Sequence, residues 1–399
     1  MSQSSDATYF NPQYPSIADL KERAKQRMPR FAFEYLSGGA NEEVNLARNK
    51  SDIQEVQLMP EYLKDYDAPS LETELFGHRY AAPFGVAPLG LQGLIWPNAP
   101  EVLARAAHQH NVPFVLSTVS TSTIERIGEL TEGNFWFQLY YPAEASLRDD
   151  LLKRATAAGC QVLIALADTP SFGIRYKDIR NGLAMPPKMS VRNFAQITGK
   201  PRWALNTLRH GQPEFATLKP YMPKGLDLQQ LGQFMNKTFD GRLNETKLAA
   251  LREQWPGKLV VKGIVNERDA ERAIRLGADG IIASNHGGRQ LDAGESSIAP
   301  MRKLAKKYGD QITVMMDGGV RSGPDIARCV ASGAKFTFLG RAFMYGVGAL
   351  GEKGGNHTMN LLLMQLTQVM DQLGCARIED LPRHLIAAPT PPANAADEA

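Results

Sequence analysis

From about residue 81, the sequence alternates short apolar segments, typical of buried strands, with longer segments that have the apolar spacing of helices. This alternation constrains the fold more than any other feature. Strand-then-helix units with near-continuous apolar strands build a parallel sheet covered by helices. Eight such strands are the number that closes a (β/α)8, or TIM, barrel. The sequence therefore predicts an α/β protein with this barrel, and an open, doubly wound sheet is the alternative.

The predicted strands are Pro83–Ala87, Pro113–Ser117, Phe135–Tyr140, Gln161–Leu166, Lys258–Lys262, Gly280–Ser284, Ile312–Asp317 and Lys335–Gly340. The predicted helices between them are Ala99–His110, Ser122–Leu130, Ala145–Ala158, Glu267–Leu276, Ile298–Tyr308 and Pro324–Ser332.

Polar residues follow each predicted strand, and this is the rim at which barrel enzymes carry their active sites. The strand ends carry, in order, Pro88, Ser117-Thr118, Gln138 with Tyr140, Asp168, Lys262, Ser284-Asn285-His286, Asp317-Gly318-Gly319 and Gly340-Arg341. A single polar residue could reflect ordinary loop composition, but all of them converge on one rim of the barrel. The sequence therefore predicts an active site there.

The run from Ile281 to Asp292 reads IIASNHGGRQLD and begins as a buried strand before it enters a glycine-rich loop. Glycines let the backbone pass close to a ligand. His286 is a candidate general base and Arg289 a candidate binder of a carboxylate. Asp168, across the barrel mouth, is the best-placed acid to orient His286, because Asp292 lies past the turn.

The last two strand ends predict an anion site, since loops after strands seven and eight commonly bind phosphate in such barrels. Gly319, Arg321 and Gly340-Arg341 offer backbone N–H groups, guanidiniums and helix starts. A cofactor or substrate that carries phosphate would fit there. Glycine turns of purely structural use are the competing interpretation.

Two further cations belong to the same rim. Arg175 and Arg289 together suit a substrate carboxylate held by paired hydrogen bonds. Lys262 could stabilise negative charge on a cofactor, form a Schiff base or make a salt bridge. The set fits removal of hydrogen next to a carboxylate with transfer of electrons to a bound cofactor. No GxGxxG follows the first strand, which disfavours a nicotinamide site of the Rossmann type.

Composition adds few constraints. The chain has 399 residues and a formal charge of +3, so nothing argues for a nucleic-acid partner. Its three cysteines (Cys160, Cys329 and Cys375) are isolated, which predicts buried thiols in a reducing compartment and no metal site. The start of the chain lacks a signal pattern, and no apolar stretch is long enough to cross a bilayer. We therefore expect a soluble or peripheral protein.

The barrel domain is expected to span residues 81–386. Residues 1–80 are predicted to form a helical extension, in which Ser16–Leu36 is one helix and Ser37-Gly38-Gly39 its stop. The long connection at 171–251, after strand four, is expected to be a lid, a binding segment or a flexible segment. Within it, Lys200–Leu205 could touch a membrane, pack over the barrel or meet a partner subunit. Asn360–Leu373 is predicted to be a closing helix, and residues 387–399 a disordered tail.

The SNHGGRQLD run at 284–292 resembles the signature of the FMN-dependent L-2-hydroxy acid oxidase and dehydrogenase family. Glycolate oxidase, lactate oxidase and mandelate dehydrogenase are members. The resemblance extends from Tyr35–Ala40 to Gly340-Arg341. Pieces such as Ala87–Leu91 and Leu116–Ser120 look most similar to the bacterial respiratory L-lactate dehydrogenases.

This resemblance implies a role for each substrate-side residue. It makes His286 the base that takes the substrate proton and Asp168 the group that stabilises its charged form. Arg289 is the main binder of the carboxylate, with Arg175 as the second. Tyr35 and Tyr140 match substrate contacts, although the sequence by itself suggests only packing for a tyrosine at the end of a helix.

The resemblance also implies an FMN site. Lys262 would lie beside the N1/O2 edge of the flavin, with Gln138 and Ser117 on the ring and Ala87-Pro88-Leu89 behind it. Ser284 and Asp317 are assigned to the cofactor site with them. Gly319, Arg321, Gly340 and Arg341 would cradle the phosphate.

The implied activity is oxidation of an L-2-hydroxy acid, L-lactate-like, to the 2-oxo acid. Electrons would pass to quinone or to oxygen, and the second route would release hydrogen peroxide. Two different functions would also suit such a barrel: an isomerase that uses FMN without net redox, and a non-catalytic protein that binds a phosphate ligand. A homotetramer is implied, located in the cytoplasm or peripherally on the inner face of the cytoplasmic membrane.

Two positions depart from the family pattern. Leu166 replaces a residue that usually carries a hydroxyl, which would remove one hydrogen bond to the flavin. Val119 replaces an aromatic residue found in some members, which would widen the pocket beyond glycolate.

Overall fold

The computed structural model describes residues 7–65, 67–183, 190–211, 213–223, 234, 237–239 and 242–386. Its strands are β1 Thr73–Leu75, β2 His78–Tyr80, β3 Phe84–Val86, β4 Val115–Ser117, β5 Trp136–Leu139, β6 Val162–Leu166, β7 Lys258–Lys262, β8 Gly280–Ala283, β9 Thr313–Asp317 and β10 Phe336–Leu339. Strands β3 to β10 pair in parallel in the order β3-β10-β9-β8-β7-β6-β5-β4. A bridge between Val86 and Phe114 joins the first and last of them. The predicted TIM barrel is therefore confirmed, and the open sheet is excluded.

The register of strand pairing places the carboxyl ends of neighbouring strands at the same level. Ser117 pairs with Gln138, Leu166 with Lys262, and Asp317 with Phe338. Since parallel strands end together at one edge of the barrel, the polar residues that follow them meet above a common floor.

The barrel interior is filled by apolar side chains from successive strands, among them Trp136, Ile164, Met315, Phe336 and Phe338. At the opposite end from the polar rim, the β1–β2 hairpin closes the barrel. Its turn, Phe76-Gly77, has φ values of 55° and 82°, as a two-residue hairpin turn requires. Tyr80 from this hairpin accepts a hydrogen bond from the Trp136 indole at 3.2 Å.

The described α-helices are α1 Ile17–Arg27, α2 Arg30–Ser37, α3 Val44–Gln54, α4 Gln92–Ile95, α5 Ala99–Gln109, α6 Ile124–Leu130, α7 Ala145–Ala157, α8 Tyr176–Arg180, α9 Val191–Thr198, α10 Pro201–His210, α11 Glu245–Gln254, α12 Glu267–Arg275, α13 Ile298–Tyr308, α14 Gly323–Ala331, α15 Arg341–Leu350 and α16 Gly354–Leu373. The six helices predicted between the strands are present, with ends that differ by up to two residues. None of the described helices combines the length and the apolar character needed to span a bilayer.

The single helix predicted over Ser16–Leu36 is wrong. The structure has two helices there, α1 and α2, separated at Met28-Pro29. Proline offers no N–H to a helix and disfavours helical geometry in the residue before it. Met28 is accordingly extended, with φ −100° and ψ 150°. The predicted stop is correct, because α2 ends at Ser37.

The long connection after β6 contains helices α8 to α11, so it is not a simple loop. Trp203 in α10 is buried, lies edge-on to Phe31 at 5.9 Å and donates to the Ile95 carbonyl at 3.1 Å. Lys200–Leu205 was expected to touch a membrane, pack over the barrel or meet a partner subunit. Trp203 packs onto the protein itself, as the second alternative states. Leu205 in the same segment is 60% exposed.

The C-terminal closing helix α16 begins at Gly354, six residues before the predicted Asn360. Ahead of it, α15 packs against α1 and so joins the N-terminal extension to the last barrel unit. The predicted tail at 387–399 lies outside the described residues.

Candidate active site

A cavity of about 450 Å³ opens at the carboxyl ends of the barrel strands. This volume is within the range of cofactor and small-molecule sites. All of the residues predicted for the site line the cavity, except Asp168 and Ser284. Those two lie behind its wall, where they hold the side chains that do face the cavity.

The loop after β8 turns through three consecutive residues with left-handed backbone: His286, Gly287 and Gly288, with φ values of 58°, 66° and 73°. A Cβ on Gly288 would lie 2.7 Å from the backbone of Leu46, and one on Gly287 would lie 2.9 Å from the Arg341 guanidinium. Both glycines are therefore required by backbone geometry and by close packing. His286 adopts this conformation despite its side chain, as residues at functional sites often do.

A hydrogen bond joins His286 Nδ1 to Asp168 Oδ1 at 2.9 Å. The carboxylate accepts, so the Nδ1 proton is fixed and Nε2 is left with its lone pair. The imidazole is partly exposed to the cavity, which it lines. This geometry suits a general base whose charged form Asp168 would stabilise.

Behind the pair lies a buried charge network centred on Lys262, which is 3% exposed. The Lys262 ammonium donates to Ser284 Oγ at 2.8 Å and lies 3.3 Å from Asp317 Oδ2 and 3.7 Å from Asp168 Oδ2. Burial opposes a charged lysine, but Asp317 and Asp168 outweigh it and raise the pKa of Lys262. Likewise, burial opposes a charged Asp168, but Lys262 and then His286 lower the pKa of that carboxyl. A charged lysine makes the foreseen salt bridges and can also stabilise negative charge on a cofactor, whereas a Schiff base would require the neutral amine.

Two guanidiniums flank the Tyr35 ring. Arg289 lies 5.0 Å from the ring centroid and Arg175 lies 5.6 Å from it. Arg289 Nη1 donates to the carbonyls of Tyr35 and Gly38 at 2.8 and 3.0 Å, while Arg175 Nε lies 2.8 Å from Asp178 Oδ2. Burial, followed by the charge of Arg175, lowers the pKa of Arg289 to about 10. Arg289 is thus cationic at neutral pH in a setting that favours an added carboxylate.

Tyr140 lines the same cavity, and its ring packs 5.5 Å from Phe239. Burial and then the negative charge of Asp168 raise the pKa of Tyr140 far above its ordinary value. Its hydroxyl therefore keeps its proton and can donate a hydrogen bond to a ligand.

The anion end of the cavity is formed by the loops after β9 and β10. Gly319, with φ 91°, packs so tightly that a Cβ there would overlap the Asn49 carbonyl. Among the described residues, the Arg321 guanidinium donates only to the Val320 carbonyl, through Nη1 at 2.8 Å, so its other donors can meet a ligand. Burial lowers the pKa of Arg321.

Arg341 lies at the predicted position, but its guanidinium already donates hydrogen bonds to carbonyls of the protein backbone. Its guanidinium donates to the carbonyls of Leu36, Gly287 and Gly38 at 2.9, 2.9 and 2.8 Å. These bonds tie the N-terminal extension to the catalytic turn. The backbone at Gly340-Arg341, where α15 begins, is the part of this pair that is placed to meet a phosphate.

The cavity residues fit FMN. Ser117 donates to Gln138 Oε1 at 2.9 Å, and the buried Gln138 Nε2 has no hydrogen-bond partner among the described residues. A buried donor without a partner is costly, so a ligand acceptor is expected there. With Lys262 on the same cavity and an arginine and glycine backbone at its far end, the wall offers partners for both a flavin ring and a phosphate.

Several residues that organise the site were given no role from sequence. Asn45 and Asn49 project from one face of α3 and are both buried. Asn285 donates to their side-chain oxygens at 2.6 and 2.8 Å. The sequence signal for this role is the four-residue spacing of Asn45 and Asn49, which places both side chains on one face of a helix. Gln290, which lies within the SNHGGRQLD run, is another residue that organises the site and was given no role from sequence.

Both positions that depart from the family pattern, Leu166 and Val119, line the cavity. Neither side chain can donate a hydrogen bond. Both departures from the family pattern therefore lie at the cavity itself.

Comparisons with known proteins agree with this geometry. The family description "FMN-dependent dehydrogenase" matches residues 24–388. The chain is 37% identical to an L-lactate dehydrogenase of Caulobacter sp. (strain K31), over 93% of this chain and 98% of that protein. Among solved structures, it is similar to (S)-mandelate dehydrogenase, described as a monotopic membrane protein, with a TM-score of 0.88, 35% identity and coverage of 94% of this chain and 100% of that one. It is also similar to a mandelate oxidase, with a TM-score of 0.80, 30% identity and coverage of 94% and 98%.

The family match covers most of the chain, and the relatives are matched over nearly their full length. The family and the cofactor expected from sequence are thereby confirmed. This chain belongs to the FMN-dependent dehydrogenase family, with FMN as its cofactor.

Proposed function

We propose that this protein oxidises an L-2-hydroxy acid to the corresponding 2-oxo acid. The observation that carries the proposal is one cavity lined by His286, which Asp168 holds from behind the wall, and by the guanidiniums of Arg175 and Arg289. A base beside two cations suits a substrate whose reacting carbon is next to a carboxylate. The relatives named L-lactate dehydrogenase and mandelate dehydrogenase support this substrate class.

In this proposal, Arg289 and Arg175 bind the substrate carboxylate and so orient the hydroxyl-bearing carbon toward His286. His286 Nε2 takes a proton, either from the hydroxyl or from the carbon, and Asp168 stabilises the imidazolium that results. Tyr140 keeps its proton and donates a hydrogen bond to the substrate. FMN, when bound, accepts the two electrons of the oxidation. The Lys262 ammonium would favour negative charge on the ring beside it.

A screen of substrates with an artificial dye as acceptor tests the proposal. L-lactate, glycolate, L-mandelate and longer L-2-hydroxy acids are compared with their D-enantiomers. We expect turnover with at least one L-acid and none with its D-enantiomer, together with release of the 2-oxo acid. Absence of 2-oxo acid with every substrate would contradict the proposal and favour the isomerase or the non-catalytic barrel.

We infer that the small, L-lactate-like acids are the best substrates, and that electrons pass to a membrane quinone. The curated relatives with the name L-lactate dehydrogenase support the first inference. Turnover with a water-soluble quinone analogue is compared with oxygen consumption and peroxide release. Faster turnover with the quinone supports a dehydrogenase, whereas stoichiometric peroxide supports an oxidase.

A surface on α9 and α10 supports peripheral contact with a membrane. Val191, Phe194, Leu205 and Leu208 are 60–88% exposed, and exposed Arg192, Arg202 and Arg209 lie on the same two helices. The helices contact each other. Apolar and basic residues together are typical of segments that lie on an anionic bilayer surface, which we place at the inner face of the cytoplasmic membrane.

Co-sedimentation with vesicles tests this surface. The wild type should bind vesicles that contain phosphatidylglycerol more strongly than neutral ones, and salt should weaken the binding. The variant Phe194→Ser/Leu208→Ser should lose most of the binding while it keeps activity with a soluble dye. If this variant binds the vesicles as strongly as the wild type, the surface on α9 and α10 is not the membrane contact.

We also propose a homotetramer, as the family resemblance implies. Met59, Tyr62 and Leu63 are exposed on one loop, and a partner copy would bury such side chains. Sedimentation equilibrium should give four times the mass of the 43.9 kDa chain. A monomeric mass at micromolar concentration would contradict this assembly.

A further inference from the structure

The side chain of Gln290 uses both ends of its carboxamide on one short segment. Its Nε2 donates to the carbonyls of Asp168 and Ser171 at 3.0 and 2.9 Å, and its Oε1 accepts from the Gly173 N–H at 3.0 Å. The segment from Ser171 to Arg175 has no helix or strand of its own. Side-chain hydrogen bonds are therefore important for its position.

That segment joins two parts of the site. It follows closely after Asp168, which orients His286, and it ends at Arg175, one of the two guanidiniums beside Tyr35. Phe172 and Ile174, between them, are 47% and 58% exposed at the cavity mouth, so burial of apolar side chains contributes little to hold it. Hydrogen bonds hold it instead: those of the Gln290 carboxamide and one from the Asn41 N–H to the Ile174 carbonyl at 2.8 Å.

Gln290 itself is fixed to the other half of the site. It follows Arg289 directly, on the turn that also carries His286. Contact between the two loops is close, because a Cβ at Gly173 would overlap the Arg289 carbonyl oxygen. A shift of the Gln290 carboxamide would therefore change the distance between the loop of Arg175 and the loop of Arg289.

We propose that Gln290 is a positioning residue, which sets the spacing of Arg175 and Arg289 and the approach of Asp168 to His286. The inference rests on the proposed oxidation of a 2-hydroxy acid. It assigns no contact between Gln290 and the substrate. Gln290 acts through the segment that it holds, and so its loss should weaken binding of the substrate carboxylate and lower the rate.

Two variants separate the hydrogen bonds. Gln290→Leu removes all three with little change in volume. Gln290→Glu keeps an acceptor for Gly173 but loses both donors, and its charge faces two carbonyl oxygens. Gln254→Leu is the matched control, because Gln254 is exposed at the end of α11, before the β7 strand and away from the site.

The measurements are kcat and KM for the best L-2-hydroxy acid, and the Kd of its 2-oxo acid, all per bound FMN. A misplacement of about 1 Å in a site can cost a hundredfold in rate. For both Gln290 variants we expect kcat/KM to fall by about tenfold to a hundredfold, with KM and the product Kd rising together. FMN content and Gln254→Leu should match the wild type.

Unchanged KM and product Kd per bound FMN in both variants would overturn the proposal. The same holds if the only loss is of FMN content or folding, since that assigns Gln290 a purely structural role. Should Gln290→Leu fail to fold, Gln290→Glu decides the question. Failure of the proposed function is distinct, because there the wild type itself would oxidise no 2-hydroxy acid.

Discussion

At the scale of residues, the site combines a base and its acid partner with cations that already have structural partners. Arg289 and Arg341 both donate to backbone carbonyls of the N-terminal extension, and Lys262 is paired with Asp317 and Asp168. Each cation therefore holds the loops in place and also faces the cavity. Substitutions at these positions should affect binding and local structure together.

Replacement of Arg289 by Lys keeps a positive charge but removes the planar fork. A lost hydrogen bond to a charged group costs about 1.5–3 kcal/mol, so KM for the substrate should rise roughly tenfold to a hundredfold, with a smaller change in kcat. Steady-state kinetics with a dye acceptor measure this. Arg252→Lys is the control, because Arg252 donates to the Gly257 carbonyl at 2.8 Å at the other end of the barrel. Equal KM values for wild type and Arg289→Lys would contradict the assignment.

Asp168→Asn should lower kcat/KM by roughly 10²–10⁴-fold, since the imidazolium would lose its partner.

The Asp168→Asn variant also tests the lowered pKa of Asp168, through the dependence of stability on pH. A carboxyl with a folded-state pKa below its usual value, about 3.9, stabilises the fold above that pH. The stabilisation is lost as the pH falls through the folded-state pKa. The contribution of Asp168 to the difference in unfolding free energy between wild type and variant should thus narrow below about pH 4. Denaturant titrations above and below this pH measure it, and a difference that widens in acid would contradict the pKa direction.

At the scale of elements, α3 is a support for the catalytic loop. Asn49 donates to Asn285 Oδ1 at 2.8 Å, and its own oxygen accepts from Asn285 and from the Ser297 N–H at 3.0 Å. Asp292 accepts from the N–H groups of Glu42 and Asn45 at 3.1 and 2.9 Å and so caps the start of the helix. The extension is therefore joined to the loop that carries His286 by polar contacts, among which the bond from the Ser297 N–H to Asn49 is buried.

Asn49→Leu should destabilise the protein, because it leaves the buried Ser297 N–H without its acceptor and removes two of the side-chain hydrogen bonds of Asn285. A buried donor left without an acceptor costs about 1–3 kcal/mol. The midpoint of denaturant unfolding should fall clearly, whereas Lys50→Ala, at an exposed position on the same helix, should leave it nearly unchanged. Equal midpoints for Asn49→Leu and wild type would show that the network is not needed for stability.

The barrel strands could be predicted because each is a short apolar run followed by a polar or glycine-rich end. The β1–β2 hairpin was missed because its strands, Thr73–Leu75 and His78–Tyr80, are three residues long and carry charges. The break at Pro29 was readable but was outweighed by the apolar spacing on either side of it. Gln290 and Asn49 could not be assigned, because their roles depend on segments more than a hundred residues away.

At the scale of the whole molecule, one barrel core and the extension pack as a unit, and all three cysteines are buried in it. The prediction of buried thiols is thus confirmed. Burial raises the pKa of Cys160 to about 12 and that of Cys329 well above its ordinary value. Burial also raises the pKa of Cys375.

Because only the thiolate is reactive, the native protein should not react with a chromogenic disulfide reagent at pH 8. After denaturation, three thiols per chain should react. The denatured sample is the internal control for reagent and protein concentration. A thiol that reacts rapidly in the native protein would contradict the burial of these residues.

The central claim is that His286, held by Asp168 and faced by two guanidiniums, takes the proton while a 2-hydroxy acid is oxidised. The most direct test mixes the FMN-loaded wild type and His286→Ala with the best L-2-hydroxy acid in the absence of oxygen, and follows the visible absorbance of the flavin. We expect rapid bleaching of the wild type and a variant that binds FMN but stays yellow. Rapid bleaching of His286→Ala would contradict the claim.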